Sequence, residues 1–104
     1  MNLQQYLLVC MAEELAEVQQ EISKCLRFTP DHTPTGIYTT SNIERVKLEM
    51  ADVYAITSLL KETGLDVGIE FPKSMTPDLV LRFLQKKTKT EAFMEIYREL
   101  GALS

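Results

Sequence analysis

Seven apolar residues near the start of the chain recur at intervals of three and four positions, and this spacing constrains the fold more than any other feature. They are Leu3, Leu7, Met11, Leu15, Val18, Ile22 and Leu26. Residues three and four positions apart lie on one face of an α-helix. The pattern therefore predicts a first amphipathic helix over about residues 2 to 27.

A second helical pattern follows in the middle of the chain. The sequence "SNIE" at residues 41 to 44 has the form of a capping box, and the apolar pattern behind it runs to Leu60. Gly64 then ends the pattern, as glycine often does just beyond the last turn of a helix. These features predict a second helix over about residues 42 to 63.

The last third of the chain contains two further candidate helix starts. Thr76 before Pro77 predicts a third helix in "TPDLVLRFLQKK", because threonine is a good N-cap and proline fits the first helical turn. The spacing of Thr88 and Glu91 resembles a capping box and predicts a fourth helix in "TKTEAFMEIYREL". Residues 28 to 40, with two prolines and a glycine, are expected to form a loop, and "VGIEF" is expected to be either irregular or a short extended segment.

Length and composition agree with one helical domain. The chain has 104 residues, of which 45% are hydrophobic, enough for a single modest core. We therefore predict an all-α bundle of about four helices that spans residues 1 to 104 as one domain. Cys10 and Cys25 would lie about 22 Å apart on the first helix, too far for a disulfide, and are expected to be reduced and buried.

Charge and hydropathy exclude several classes of partner. The net charge is −4 and the lysines and arginines are scattered, which disfavours nucleic-acid binding. Spanning a bilayer takes about 20 apolar residues, and the chain has no such run; the N-terminal segment also lacks the basic start of a signal peptide. We therefore expect a cytoplasmic protein that binds neither membranes nor nucleic acids.

Carboxylates interrupt the apolar face of the first helix. At about 100° per residue, Glu14 and Glu21 fall inside the apolar stripe, Glu17 falls at its margin and Glu13 points outward. The second helix repeats the feature, since Glu49 lies near the middle of its apolar arc and Asp52 lies toward one side. That arc is formed by Val46, Met50, Val53, Ile56 and Leu60.

Each of these two helices thus presents a carboxylate pair at positions i and i+3. Ionised carboxylates in a core cost several kcal/mol each unless they are paired or bound to a metal. Few cations share the same arcs, so a divalent cation held by oxygen ligands is the expected solution, with Mg²⁺ or Mn²⁺ as the ion. The alternative is an acidic bundle whose glutamates are solvated at the rim beside Lys24, Arg45 and Lys47.

These motifs resemble a known enzyme family. "EELAE" at residues 13 to 17 and "EMAD" at residues 49 to 52 match the EExxE and ExxD motifs of the MazG-like, all-α nucleoside triphosphate pyrophosphohydrolases. The sequences "KCLRF" and "TSNIERVKLEMADVYAI" also look like small phage and bacterial members, so the resemblance covers about residues 9 to 60. It implies a MazG-like fold, a homodimer or homotetramer that completes the bundle, and Mg²⁺ on Glu14, Glu17, Glu49 and Asp52.

Other residues were assigned candidate roles around this centre. Candidates to orient the attacking water are Glu13, Glu17 and Glu21. Lys24, Arg27 and Arg45 flank the carboxylates and are candidates to contact phosphate, while Asp31 and Asn42 resemble family positions near the nucleotide. Phe28 and Tyr38 bracket the loop and would either stack on a base or, as we expect, anchor the loop to the bundle.

Together these features predict a function. The chain has no Gly-rich phosphate loop, no GxSxG motif and no Glu-x-x-His pair, which disfavours P-loop, serine-nucleophile and di-iron chemistry. We predict a Mg²⁺-dependent hydrolase that cleaves a nucleoside triphosphate to the monophosphate and pyrophosphate. The alternative is a non-enzymatic helical protein-interaction module.

Overall fold

The computed structural model describes residues 1 to 34 and 40 to 104, and these residues form three helices and no strand. Helix α1 spans Leu3–Phe28, α2 spans Asn42–Glu62 and α3 spans Pro77–Glu99. Helix α2 packs against both α1 and α3. The predicted all-α class is confirmed.

Local hydrogen bonds explain where the helices begin. Asn2 caps α1 through a capping box with Gln5, which we did not predict. The Ser41 hydroxyl accepts a hydrogen bond from the Glu44 backbone N–H at 3.3 Å, as expected for the cap of α2. The Thr76 hydroxyl likewise accepts from the Leu79 N–H at 3.4 Å, which confirms the predicted start of α3.

The predicted fourth helix is wrong, because it is the second half of α3. Thr88 lies inside this helix and is not an N-cap. An N-cap requires a non-helical residue at its own position, but Gln85, Lys86 and Lys87 are good helix formers with no glycine or proline near them. The helix that begins at Thr76 therefore continues through the capping-box pattern without a break.

The segment between α2 and α3 is irregular, and aromatic contacts attach it to both helices. The "VGIEF" sequence forms no strand in the described structure. The Phe71 ring lies 4.6 Å from the Phe83 ring of α3 and 6.2 Å from the Tyr54 ring of α2, measured between centroids. These contacts determine where α3 begins relative to α2.

The core is centred on α2 and covers only part of α1. Leu7 of α1 packs on Ile56, Leu59 and Leu60, and all four are buried. Other residues of the predicted α1 stripe are open, since Leu15, Ile22 and Leu26 are 41%, 45% and 83% exposed. Within the described structure α1 packs mainly against one neighbour, so its apolar stripe is wider than the contact with α2 can cover. Large apolar residues of α3 and of its C-cap are exposed as well, namely Leu81, Leu84, Phe93, Ile96 and the C-cap Leu100.

Two further expectations concern the membrane and the cysteines. None of the helices in the described residues is long and apolar enough to cross a bilayer. Cys10 and Cys25 are both free, as predicted, but both are partly exposed, so the expectation that they are buried is wrong. The partial exposure follows from the incomplete cover of α1.

Candidate metal centre

Four carboxylates from two helices meet at one place between α1 and α2. Glu14 and Glu17 of α1 and Glu49 and Asp52 of α2 each offer one oxygen, and these oxygens all lie within 4.8 Å of one another. The i, i+3 spacing places each pair on one face of its helix, and the packing of the two helices brings the pairs together. We call this group the carboxylate cluster.

The carboxylate cluster is buried on one side and open on the other. Asp52 is 3% exposed and Glu14 is 5% exposed, while Glu49 is partly buried and Glu17 is exposed. The helical rotation inferred from the sequence, with Glu14 inward, Glu17 at the margin and Glu13 outward, agrees with this arrangement. A ligand would therefore approach from the side of Glu17.

Two basic side chains of α3 contact the cluster, and we predicted neither of them as a site residue. Lys86 Nζ lies 2.5 Å from Glu14 Oε1. Arg82 donates two hydrogen bonds of 2.8 Å to the two oxygens of Asp52, and its Nη2 lies 3.6 Å from Glu49 Oε1. The expectation that few cations share the apolar arcs concerned α1 and α2, whereas both of these cations come from α3. The available signal was the i, i+4 spacing of Arg82 and Lys86, which places them on one face of α3.

These cations leave part of the cluster unsatisfied. Glu14 Oε2 and Glu49 Oε2 are buried, and neither has a hydrogen-bond partner among the described residues. A buried carboxylate oxygen without a partner is unfavourable, and native proteins usually satisfy such atoms with protein groups, water or an ion. Because hard divalent cations take carboxylate oxygens as ligands, this donor set fits Mg²⁺ or Mn²⁺.

Crowding of the carboxylates also changes their acidity. Burial raises the pKa of Glu49 to about 7, and the neighbouring carboxylates of Glu17 and Asp52 act in the same direction. Burial raises the pKa of Glu14 as well, although the hydrogen bond with Lys86 opposes this shift. The cluster thus favours added positive charge, whether a proton or a cation.

A second buried glutamate of α1 lies outside the carboxylate cluster, in a network that we call the Glu21 corner. Glu21 Oε1 lies 3.0 Å from Lys24 Nζ, and its Oε2 lies 3.1 Å from Arg45 Nε. Arg45 also donates hydrogen bonds to the Thr40 carbonyl, at 2.6 Å, and to Asn42 Oδ1. The corner therefore ties the second half of α1 to the start of α2.

Asn42 completes this corner. Its side-chain amide donates to the carbonyl of Thr29 at 3.0 Å and to that of Lys24 at 3.5 Å, and it is fully buried. Four predicted site residues thus form the Glu21 corner and are separate from the carboxylate cluster: Glu21, Lys24, Asn42 and Arg45. The alternative interpretation placed the glutamates at the rim beside Lys24 and Arg45, and Glu21 does pair with both, but Glu21 and Arg45 are buried and not at the rim.

The remaining candidates lie at the surface. The Arg27 guanidinium lies 5.4 Å from the centroid of the Phe28 ring, and Asp31 is exposed in a turn. Glu13 is exposed and lines a cavity beside Glu14. Tyr38, which we paired with Phe28 as a loop anchor or stacking residue, lies outside the described residues.

Comparison of the chain with models of protein families, with curated proteins and with solved structures finds no match. The resemblance to MazG-like enzymes therefore rests on the sequence motifs of residues 9 to 60 alone.

Proposed function

We propose that the chain is a Mg²⁺-dependent nucleoside triphosphate pyrophosphohydrolase in which Mn²⁺ can replace Mg²⁺. Glu14, Glu17, Glu49 and Asp52 would hold the ion. The observation that carries the proposal is the pair of buried, unpartnered oxygens of Glu14 and Glu49 inside a four-carboxylate cluster. In a cluster stabilised by internal pairing alone, these two buried oxygens would be expected to have hydrogen-bond partners.

Basic residues of α3 are suited to bind the phosphates. Arg82, Lys86 and Lys89 line a cavity of about 400 Å³ together with Glu17, Asp52 and Gln85, and we call it the phosphate cavity. Arg82 pairs with Asp52 and Lys86 pairs with Glu14. Once a cation takes over that role, their charged groups become available to phosphate oxygens, for which arginine is particularly well suited. These contacts favour α3 over Lys24 and Arg45, which belong to the Glu21 corner.

The reaction is attack by water on the α-phosphorus. The bond between the α-phosphorus and the bridging oxygen breaks, pyrophosphate leaves, and the proton of the water passes to a carboxylate. Bound Mg²⁺ supplies positive charge that stabilises the phosphates and the leaving pyrophosphate. Among the three carboxylates predicted to orient the water, we assign Glu17, because it lies on the open side of the cluster while Glu21 is paired with Lys24 and Arg45.

The exposed apolar residues support an oligomer. Leu15, Ile22 and Leu26 of α1 and several apolar residues of α3 remain open to solvent in one chain. We propose that a second copy covers part of this surface in a homodimer or homotetramer. The same surface is what a non-enzymatic interaction module in the cytoplasm would use, so it favours neither function over the other.

Product analysis separates the two functions. Purified protein is incubated with common ribo- and deoxyribonucleoside triphosphates and Mg²⁺ in ¹⁸O-labelled water. We expect pyrophosphate release, with the label in the nucleoside monophosphate, because water attacks the α-phosphorus. Orthophosphate and a nucleoside diphosphate as products would refute the assignment, and no hydrolysis with any substrate would favour the interaction module.

A further inference from the structure

A second cavity adjoins the carboxylate cluster between α1 and α3. Its volume is about 220 Å³, and the buried side chain of Ile56 from α2 contributes to its wall. It contains Glu14 in common with the cluster, and it shares Lys86 and Lys89 with the phosphate cavity. The two cavities therefore meet at these lysines, and one extended ligand could occupy both.

Aromatic rings form the end of this cavity that is farther along α3. The Tyr97 ring lies 5.4 Å from the Tyr6 ring of α1 and 6.3 Å from the Phe93 ring, with which it is stacked. Phe93 is 41% exposed and Tyr97 is 37% exposed, so ring surface is available to a ligand. We call this space the aromatic cavity.

We propose that the aromatic cavity binds the nucleoside of the triphosphate, with the base against Phe93 and Tyr97. This inference rests on the proposed function and adds a location for base and sugar, which the sequence instead places near the loop at residues 28 to 40 and Asn42. Planar bases stack favourably on aromatic side chains.

The charges of the two cavities set the orientation of the substrate. The phosphate cavity combines three basic residues with the two acids Glu17 and Asp52. The aromatic cavity combines Lys86 and Lys89 with the two acids Glu13 and Glu14. Of these two cavities, the described residues place aromatic rings only in the wall of the aromatic cavity. The triphosphate therefore fits the first cavity better, and the uncharged nucleoside fits the second.

Another aromatic group, on α2, α3 and the segment between them, provides a comparison. Tyr54, Phe71 and Phe83 line a cavity of about 250 Å³ that contains none of the four carboxylates of the cluster. A base bound there would not share a wall with the metal site. The choice of the aromatic cavity as the nucleoside site therefore depends on its position beside the carboxylate cluster and not on its aromatic rings alone.

Binding of two matched ligands tests the proposal. Calorimetry in Mg²⁺ compares α,β-methylene analogues of ATP, GTP, CTP and UTP with inorganic tripolyphosphate, which lacks the nucleoside. We expect Phe93→Ala and Tyr97→Ala to weaken binding of the tightest analogue about tenfold and to leave tripolyphosphate binding unchanged. Phe71→Ala is the matched control and should change neither affinity in the folded protein.

Other results would overturn the inference. If Phe93→Ala and Tyr97→Ala weaken binding of the analogue and of tripolyphosphate equally, the nucleoside does not bind in the aromatic cavity. The same conclusion follows if Phe71→Ala weakens binding of the analogue as much as Tyr97→Ala does. If pyrophosphate is still released from the triphosphate in that case, the proposed function survives while this inference fails. If neither ligand binds and no triphosphate is hydrolysed, the proposed function fails first.

The two cysteines give a readout that needs no substitution. Cys10 lines the aromatic cavity, whereas Cys25 lies about 22 Å farther along α1. We expect the bound analogue to slow alkylation of Cys10 severalfold, and tripolyphosphate to leave it unchanged. Burial raises the pKa of the Cys10 thiol, so the reaction is run at alkaline pH and mapped by mass spectrometry. Unchanged labelling of Cys10 with the analogue bound, or equal slowing at Cys25, would contradict the proposal.

Discussion

Glu14 and Glu21 lie seven residues apart on the same buried line of α1, yet their surroundings differ. Both oxygens of Glu21 contact basic groups, Oε1 with Lys24 and Oε2 with Arg45. Glu14 contacts Lys86 through Oε1 only, and its Oε2 has no partner among the described residues. The Glu21 corner is complete within one chain, whereas the carboxylate cluster is not. Two glutamates with the same helical phase can therefore differ in how far the protein's own cations satisfy their charge.

The difference arises from what surrounds each glutamate. Around Glu21, Lys24 of the same helix and Arg45 of α2 provide two positive charges for one carboxylate. Around Glu14, three more carboxylates lie within 4.8 Å, and Arg82 and Lys86 provide two positive charges for four. Excess negative charge in a partly buried site favours cation binding over further internal pairing.

The largest expected difference between the two regions is in catalysis. Asp52→Asn and Glu14→Gln should each lower kcat at least about a hundredfold, because a misplaced ion no longer stabilises the developing charge. Glu21→Gln should leave kcat of the folded protein within a few fold. Steady-state pyrophosphate release, corrected for the folded fraction, measures all three.

Glu13→Gln is the matched control within the same motif. Since Glu13 is exposed and lies outside the cluster, its substitution should cost less than that of Glu14. Equal losses at both positions would show that Glu13 takes part in the reaction.

For stability we expect the opposite pattern, in which a substitution in the Glu21 corner costs more than one in the carboxylate cluster. Arg45→Met leaves the buried Glu21 without one of its partners and should reduce the free energy of unfolding by about 3 kcal/mol. Glu49→Gln removes one charge from a repulsive cluster and should leave the metal-free protein at least as stable as the parent. Urea denaturation followed by circular dichroism gives both values. A strongly destabilised Glu49→Gln variant would mean that this carboxylate has a structural role.

A smaller difference is expected in the pH dependence of stability. Burial and the contact with Glu17 raise the pKa of Glu49 from 4.5 to about 7, so between these values the folded protein binds more protons than the unfolded chain. This contribution to stability is fully present below about pH 4.5 and is lost as the pH rises to about 7. Thermal melts without metal should therefore show Glu49→Gln becoming more stable relative to the parent as the pH rises through this window. A constant difference across the window would contradict the raised pKa.

Structural features that depend on residue spacing along a single helix could be predicted from the sequence. The extent of α1, the caps at Ser41 and Thr76 and the inward direction of Glu14 follow from spacing along one helix, and the structure confirms each. Convergence of the four carboxylates also follows, because each pair lies on the core-facing side of its helix.

What the sequence left open depends on contacts between helices. Helical phase placed Glu21 inward as well as it placed Glu14, but it does not reveal that Arg45 reaches one and Lys86 the other. The same limit explains why Leu26 belongs to the predicted apolar stripe of α1 and is nevertheless exposed, since helical phase defines a face and not what covers that face. The capping pattern at Thr88 failed for a related reason: a cap forms only where the preceding helix has ended.

Binding of Mn²⁺, measured from the electron paramagnetic resonance signal of the free ion, tests most directly whether the carboxylate cluster requires a cation and the Glu21 corner does not. The parent protein and Glu21→Gln should bind Mn²⁺ with similar affinity, and Mg²⁺ should displace it. Glu49→Gln and Asp52→Asn should bind much more weakly, because each removes the charge of a ligand. Equal Mn²⁺ binding by all four proteins, or none by the folded parent, would contradict a metal site at Glu14, Glu17, Glu49 and Asp52.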